Sequence, residues 1–155
     1  MKITKTDIEG LLVIEPFVYN DDRGYFFESY NLKAYKDLGI DVDFVQDNQS
    51  CSKKNVLRGL HFQKPPFAQA KLVSVIKGSV MDVVVDIRKE SPTYGKYFSI
   101  VLSSSNKKLL YIPEGFAHGF LTLEDDTIFS YKCSNFYNKD SEDSLLWNDL
   151  DLKID

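Results

Sequence analysis

The chain holds only two histidines and two cysteines among its 155 residues. Transition-metal cages draw on several imidazole or thiolate ligands, so no bound metal is expected. Cys51 and Cys133 stand far apart in sequence. No signal-peptide pattern precedes them, and they read as reduced thiols of a cytoplasmic protein, a disulfide between them being the less expected alternative. No apolar run has the length of a membrane span. The candidate near the start, "LLVIEP", is broken by Glu15 and Pro16 and reads as a strand. Positive charge is in deficit too, with 19 Lys and Arg against 23 Asp and Glu and a net charge of −4. That argues against a non-specific nucleic-acid binder and leaves room for a local anion pocket. Repeats, low-complexity tracts and linkers are missing, so 1–155 reads as one domain, long enough to bury a core of its own.

What is present is mostly short β-structure. "GLLVIEPFVY", "YFFESY", "VDFVQDNQS", "NVLRGLHFQ", "KYFSIVLS", "KLLYIP", "GFLTL" and "TIFSYKC" read as strands, and "DDRG" (Asp21 to Gly24) as a turn. Pro65 and Pro66 mark a loop. "NLKAYKDLG" is the best helix candidate, with Asn31 able to cap its start and Gly39 able to end it. Many short strands at this spacing predict a β-sandwich or a barrel.

"KLVSVIKGSVMDVVVDI" reads as a hairpin about Gly78 and Ser79. That register sets Lys71 opposite Asp86, Val73 opposite Val84 and Val75 opposite Asp82. By alternation one face carries Lys71, Val73, Val75, Lys77, Val80, Asp82, Val84 and Asp86. The other is almost wholly apolar, with Leu72, Ile76, Met81, Val83, Val85 and Ile87. A packed face backed by a solvated one explains this pattern. So does the lining of a barrel pocket, where a few polar groups stand among apolar ones.

The two histidines lie in "VLRGLHFQ" and "YIPEGFAHGF". The second has the spacing P-x-G-x-x-H, with Pro113 and Gly115 shaping a turn ahead of His118. It resembles the second motif of cupin β-barrels, whose metal-binding members add two more histidines and a glutamate; here only His61 remains to join it. A neutral imidazole can instead take a proton from carbon next to a ketone. The enolate oxygen then needs a donor or a positive charge, and inversion needs an acid on the opposite face. Tyr131 of "IFSYKC" is a candidate acid, since its phenol is protonated at neutral pH. The plain alternative for each is a packed, hydrogen-bonded core residue.

Taken together and in order, "DRGYFFESY", "FVQDNQS", "KKNVLRGLHFQ", "KLVSVIKG", "DVVVDIRKESPTYGK", "IPEGFAHGF", "YKCSNFY" and "LLWND" resemble the dTDP-4-dehydrorhamnose 3,5-epimerase family over nearly the whole chain. The resemblance implies an all-β, cupin-type jelly-roll barrel with one or two short helices, assembled as a homodimer. It also implies no metal or organic cofactor, no nucleic acid and no membrane. The implied reaction is epimerisation of dTDP-4-keto-6-deoxy-D-glucose at C3 and C5, in dTDP-L-rhamnose biosynthesis in the cytoplasm.

Carried over by position, the resemblance makes His61 the base and Tyr131 the acid. Lys71 would stabilise the enolate oxygen, and Asp82 would be a carboxylate lining the site. His118 would lie at the sugar or the diphosphate, and Arg58 would grip the diphosphate, for which a guanidinium has paired donors. Arg23, Phe26 and Glu28 would serve the nucleotide end, in part across a dimer. Gln46 and Asn48 would contact thymidine or sugar, Tyr137 would stack on thymine and Glu142 would hold the nucleotide. Arg58 and His61 are an odd number of residues apart, so a bulge at Gly59 is expected to aim both at the ligand. The family pattern continues beyond "LKID" to a Lys-Asp pair whose aspartate orients the catalytic histidine. Three explanations stay open: the sequence stops short of that pair, or the protein is a poorer catalyst, or another carboxylate serves, for which Asp82 and Asp86 are the local candidates. Alternatives are a 3-epimerase, a 3,4-ketoisomerase or a non-catalytic sugar-nucleotide binder.

Overall fold

The structure, a computed structural model, describes residues 1–154. Thirteen strands follow one another: β1 (Lys2–Lys5), β2 (Leu12–Glu15), β3 (Tyr19–Asp21), β4 (Gly24–Phe26), β5 (Gln46–Ser52), β6 (Leu57–Gln63), β7 (Lys71–Lys77), β8 (Ser79–Asp86), β9 (Tyr97–Ser103), β10 (Leu109–Ile112), β11 (Phe116–Thr122), β12 (Thr127–Cys133) and β13 (Glu142–Ser144). One helix, α1 (Leu32–Asp37), lies between β4 and β5, and a 3₁₀ turn (Lys139–Ser141) precedes β13. The α1 termini match their sequence signals. The Asn31 side chain accepts from the Ala34 amide, and Gly39 takes the positive φ of 87° that ends the helix.

The strands form a six-stranded sheet in the order β1-β2-β10-β7-β12-β5 and a five-stranded sheet in the order β13-β6-β11-β8-β9, with β3-β4 a separate hairpin. Every pairing is antiparallel. The two large sheets face each other as a flattened barrel, the cupin-type jelly roll. The six-stranded sheet puts Val13, Val73, Val75, Leu110, Ile112 and Phe129 into the core, and the five-stranded sheet adds Val80, Val84, Leu102, Phe116 and Phe120. Each such side chain, removed from water, contributes roughly 1.5–3 kcal/mol.

The expected hairpin at Gly78 is not formed. Strand β7 pairs with β10 and β12, whereas β8 pairs with β11 and β9 in the opposite sheet. Gly78, at φ 79°, carries the chain from one sheet to the other. The face expected to carry Lys71, Val73, Val75, Val80, Asp82 and Val84 does turn into the barrel. Lys77 does not; it is exposed and pairs with Asp126, after the register shift opposite Ile128 and Phe129. The second face is largely covered as well. Leu72 packs with Tyr35 and Ile40 of the α1 region, and Val83 and Val85 lie under Leu145, Leu152 and Ile154.

Candidate active site

A cavity of about 710 Å³ opens between the two sheets. Gln46, Asn48, Arg58, His61, Lys71, His118, Tyr131, Tyr137 and Glu142 all line it. Nine side chains expected from the sequence, scattered over nearly a hundred positions, thus meet at one place.

Local backbone features put them there. In the pairing of β6 with β11, His61 stands opposite His118 and Arg58 opposite Phe120. Two residues of β6, Gly59 and Leu60, therefore stand against one of β11, Gly119, which is the bulge expected at Gly59. Gly59 has φ 122°. The extra residue breaks the alternation, so Arg58 and His61 both reach the cavity. The Arg58 Nε donates to the Ser52 Oγ at 3.1 Å. On the opposite wall Lys71 is the register partner of Cys133, and Tyr131 lies between Asn48 of β5 and Val73 of β7. His61 and Tyr131 thus belong to different sheets and face one space from opposite walls.

The apolar floor was not foreseen. Phe120 and Phe129 stack with centroids 4.0 Å apart, and the His118 ring lies 6.1 Å from that of Phe129. Each phenylalanine reads in sequence as an ordinary core residue, and only the packing of the two sheets shows that they also bound the cavity. Gln63 was missed for a similar reason. Its amide donates to the carbonyls of Phe67 and Phe136 and accepts from the Asn138 amide. It thereby holds the loop that carries Tyr137. The Tyr137 amide in turn donates to the Gln46 side chain at 2.9 Å, and Gln46 donates to Asn48.

The carboxylates differ from expectation. Asp82 does not line the cavity; it is fully buried behind His118, with the His118 Nε2 2.9 and 3.1 Å from its two oxygens. Asp86, also fully buried, accepts from Arg88, Ser91 and Thr93. Neither touches His61, so neither is the substitute partner expected for it. The carboxylate beside His61 is Glu142, whose Oε1 lies 3.8 Å from the His61 Nδ1 and whose Oε2 accepts from the Tyr137 hydroxyl at 2.9 Å.

Burial and charge set the protonation of the remaining groups. Burial pulls the Lys71 ammonium below its ordinary value, against the opposing pull of the Asp82 and Glu142 carboxylates. Burial pushes the Tyr131 phenol upward, Glu142 adds to this, and Arg58 opposes it. Tyr131 is therefore a protonated donor at neutral pH. The Cys133 thiol is likewise raised by burial, so it stays neutral, and Cys51 is also free.

Arg23, Phe26 and Glu28 lie outside this cavity. Arg23 sits at the tip of the β3–β4 hairpin, its side chain 90% exposed and paired with Asp21 at 2.6 Å. Phe26 is exposed as well, and Glu28 accepts from Asn31.

Comparison with known proteins then decides the family. A family model described as dTDP-4-dehydrorhamnose 3,5-epimerase matches residues 5–155. The chain belongs to the dTDP-4-dehydrorhamnose 3,5-epimerase family. The enzyme of that name from Salmonella typhimurium is 55% identical over 156 residues, which are 100% of this chain and 85% of that protein. The crystal structure of the Legionella pneumophila epimerase in complex with dTDP-4-keto-L-rhamnose has a TM-score of 0.96 at 50% identity, covering 99% of this chain and 82% of that one. A 3'-monoepimerase from Streptomyces bikiniensis in complex with dTDP-quinovose is more distant, at TM-score 0.90 and 32% identity over 96% of this chain and 76% of that one. Two of these proteins of the same fold were thus solved with a dTDP-linked sugar bound.

Proposed function

We propose that the protein converts dTDP-4-keto-6-deoxy-D-glucose into dTDP-4-keto-L-rhamnose by inverting C3 and C5, the epimerase step of dTDP-L-rhamnose biosynthesis. The observation that carries this reading is the placement of His61 and Tyr131 on opposite walls of one cavity. Inversion at carbon needs a base on one face and an acid on the other.

The chemistry follows from the 4-keto group, which acidifies the hydrogens on its flanking carbons. His61 removes the C3 proton, and the C–H electron pair moves into an enolate. Its developing negative charge lies beside the Lys71 ammonium, placed in advance to stabilise it. Tyr131 then delivers a proton to the other face of C3, and water restores both groups. The same cycle serves C5. One proton leaves and one returns at each centre, so nothing is oxidised or reduced. Arg58 and His118 bind the diphosphate and sugar end, and Gln46, Asn48 and Tyr137 receive the thymidine.

The reading takes 1–155 as one epimerase domain acting in the cytoplasm, as a homodimer. The exposed β3–β4 hairpin supports the dimer. Phe17, Tyr19 and Phe26 leave more than 60% of their area uncovered there, and an apolar patch of this kind marks an interface. Arg23, Phe26 and Glu28 then serve the partner's nucleotide end.

Inversion of C3 alone is the second reading, because a 3'-monoepimerase shares the fold. The greater identity to the 3,5-epimerases favours both centres. Incubation with dTDP-4-keto-6-deoxy-D-glucose, followed by proton NMR of the product, separates the two. The expected product has L-rhamno couplings. A product inverted at C3 only, or unchanged substrate, overturns the proposal.

A further inference from the structure

Arg58 is exposed, and its guanidinium forms no salt bridge among the described residues, unlike Arg23 and Arg88, which pair with Asp21 and Asp86. Its one side-chain partner there is the Ser52 hydroxyl, which accepts from the Arg58 Nε at 3.1 Å. Ser52 ends β5, whose alternation puts Gln46, Asn48 and Ser50 on the cavity wall. Ser52 is next on that face, but it is buried, 7% exposed, and outside the lining. Strand β5 belongs to the six-stranded sheet and β6 to the five-stranded one, so the bond joins the two walls of the cavity.

The turn that joins the two residues is pinned. The Lys54 amide donates to the Asp125 side chain at 2.9 Å, and the Asn55 amide to the Thr122 carbonyl at 2.8 Å. The Val56 amide donates to the hydroxyl of Thr122, which is fully buried. Ser52 and Arg58 are therefore held at a set separation before any ligand arrives.

We propose that Ser52 is the positioning residue of Arg58 and turns its two terminal nitrogens, Nη1 and Nη2, toward the diphosphate of the substrate. This rests on the epimerase reading above and goes beyond it, since that reading gives Ser52 no role. A guanidinium has five N–H donors. With the Nε–H engaged by Ser52, the four on Nη1 and Nη2 remain, and they take phosphoryl oxygens end-on. A free arginine loses rotamer freedom when it binds an anion; here much of that loss is met in advance by folding. The kind of partner matters. A carboxylate in place of the hydroxyl would hold the side chain equally well but cancel its charge. The neutral Ser52 hydroxyl holds it and leaves the positive charge to the ligand.

The test measures the affinities of Ser52→Ala for dTDP, inorganic pyrophosphate and thymidine, together with kcat, KM and Tm. Binding of dTDP and pyrophosphate should weaken about 3–10-fold, the effect of one ordinary hydrogen bond. Thymidine affinity and kcat should stay within about twofold of wild type, with the loss appearing in KM. Ser52→Thr keeps the hydroxyl and should restore the diphosphate affinity. In an Arg58→Lys background, which lacks the Nε–H, Ser52→Ala should cost nothing further. Unliganded wild type gives a check that needs no change at residue 52. Its Arg58 Nε–H resonance, assigned by its loss in Arg58→Lys, should exchange slowly with solvent. A wild type that binds dTDP, but whose Ser52→Ala variant keeps its pyrophosphate affinity or loses thymidine affinity to the same degree, overturns the positioning role alone. Fast exchange at the Arg58 Nε does the same. A wild type that binds no dTDP overturns the epimerase reading, and the positioning role with it.

Discussion

Gly59 backs onto Gly119 so closely that a β-carbon on Gly59 would fall 2.5 Å from the Gly119 Cα and 2.7 Å from the His118 carbonyl oxygen. The neighbours are backbone and cannot swing aside. Gly59 also holds φ 122°, which side-chain-bearing residues rarely adopt. The contact locks β6 against β11 at the bulge that presents Arg58 and His61 together. Gly59→Ala is expected to destabilise the fold by about 2–4 kcal/mol and to lower Tm by roughly 5–15 °C, as read by calorimetry. The folded fraction should also bind dTDP more weakly, because Arg58 is displaced. A variant with unchanged Tm and affinity would show that the bulge does not depend on this contact.

The bulge was legible in the sequence because two residues needed at one ligand stood an odd number of places apart with a glycine between them. The α1 caps were legible for an equally local reason. The connection at Gly78 was not. Alternating strands joined by a tight glycine turn look alike whether they pair as a hairpin or step from one sheet to the other. Long-range pairing decides between the two. Hence Lys71, Val73, Val75, Val80, Asp82 and Val84 share one face as alternation requires, but the pattern left open whether that face met solvent or a pocket, and the strand partners were wrong. Glu142 was placed in the site by resemblance, but its approach to His61 depends on β13 joining β6, which no local pattern announces.

Asp86 carries a pH-dependent share of stability. Burial alone would raise its carboxyl, but hydrogen bonds from Arg88, Ser91 and Thr93 outweigh this and hold it well below the usual carboxylate range. A depressed folded-state value means that the contribution is complete above the unfolded value of about 4. It is lost as pH falls through the lower, folded one. Asp86→Asn should cost about 3 kcal/mol at pH 7 in urea unfolding and show a smaller loss between pH 5 and pH 2 than wild type. Parallel curves for the two proteins would remove Asp86 from the acid response.

The β3–β4 hairpin offers a test of assembly. Sedimentation equilibrium at micromolar concentration should give twice the chain mass. Arg23→Ala should weaken dTDP binding by about fivefold or more, the loss of one charged hydrogen bond, although Arg23 lies outside its own cavity. Binding sites formed by mixing Arg23→Ala with Arg58→Ala chains should include one class with both arginines intact. A monomer that binds dTDP normally without Arg23 would contradict the shared site.

Tyr131→Phe should separate the two halves of the reaction. The phenol is raised by burial and keeps its proton at neutral pH. Without it His61 still removes a proton and returns it to the same face. Solvent exchange with retention is then expected to exceed epimerisation, as measured by deuterium content against product configuration. Wild-type epimerisation in this variant would assign the acid to another group.

The central claim, a base and an acid acting on both carbons beside the keto group, is tested most directly by incubation with dTDP-4-keto-6-deoxy-D-glucose in D2O and NMR of the sugar. Wild-type protein should introduce deuterium at C3 and C5 with inversion at both. His61→Ala should slow this by about 10²–10⁴-fold while dTDP affinity persists. Absence of label with wild-type protein, label at C3 alone, or undiminished exchange in His61→Ala would contradict the account.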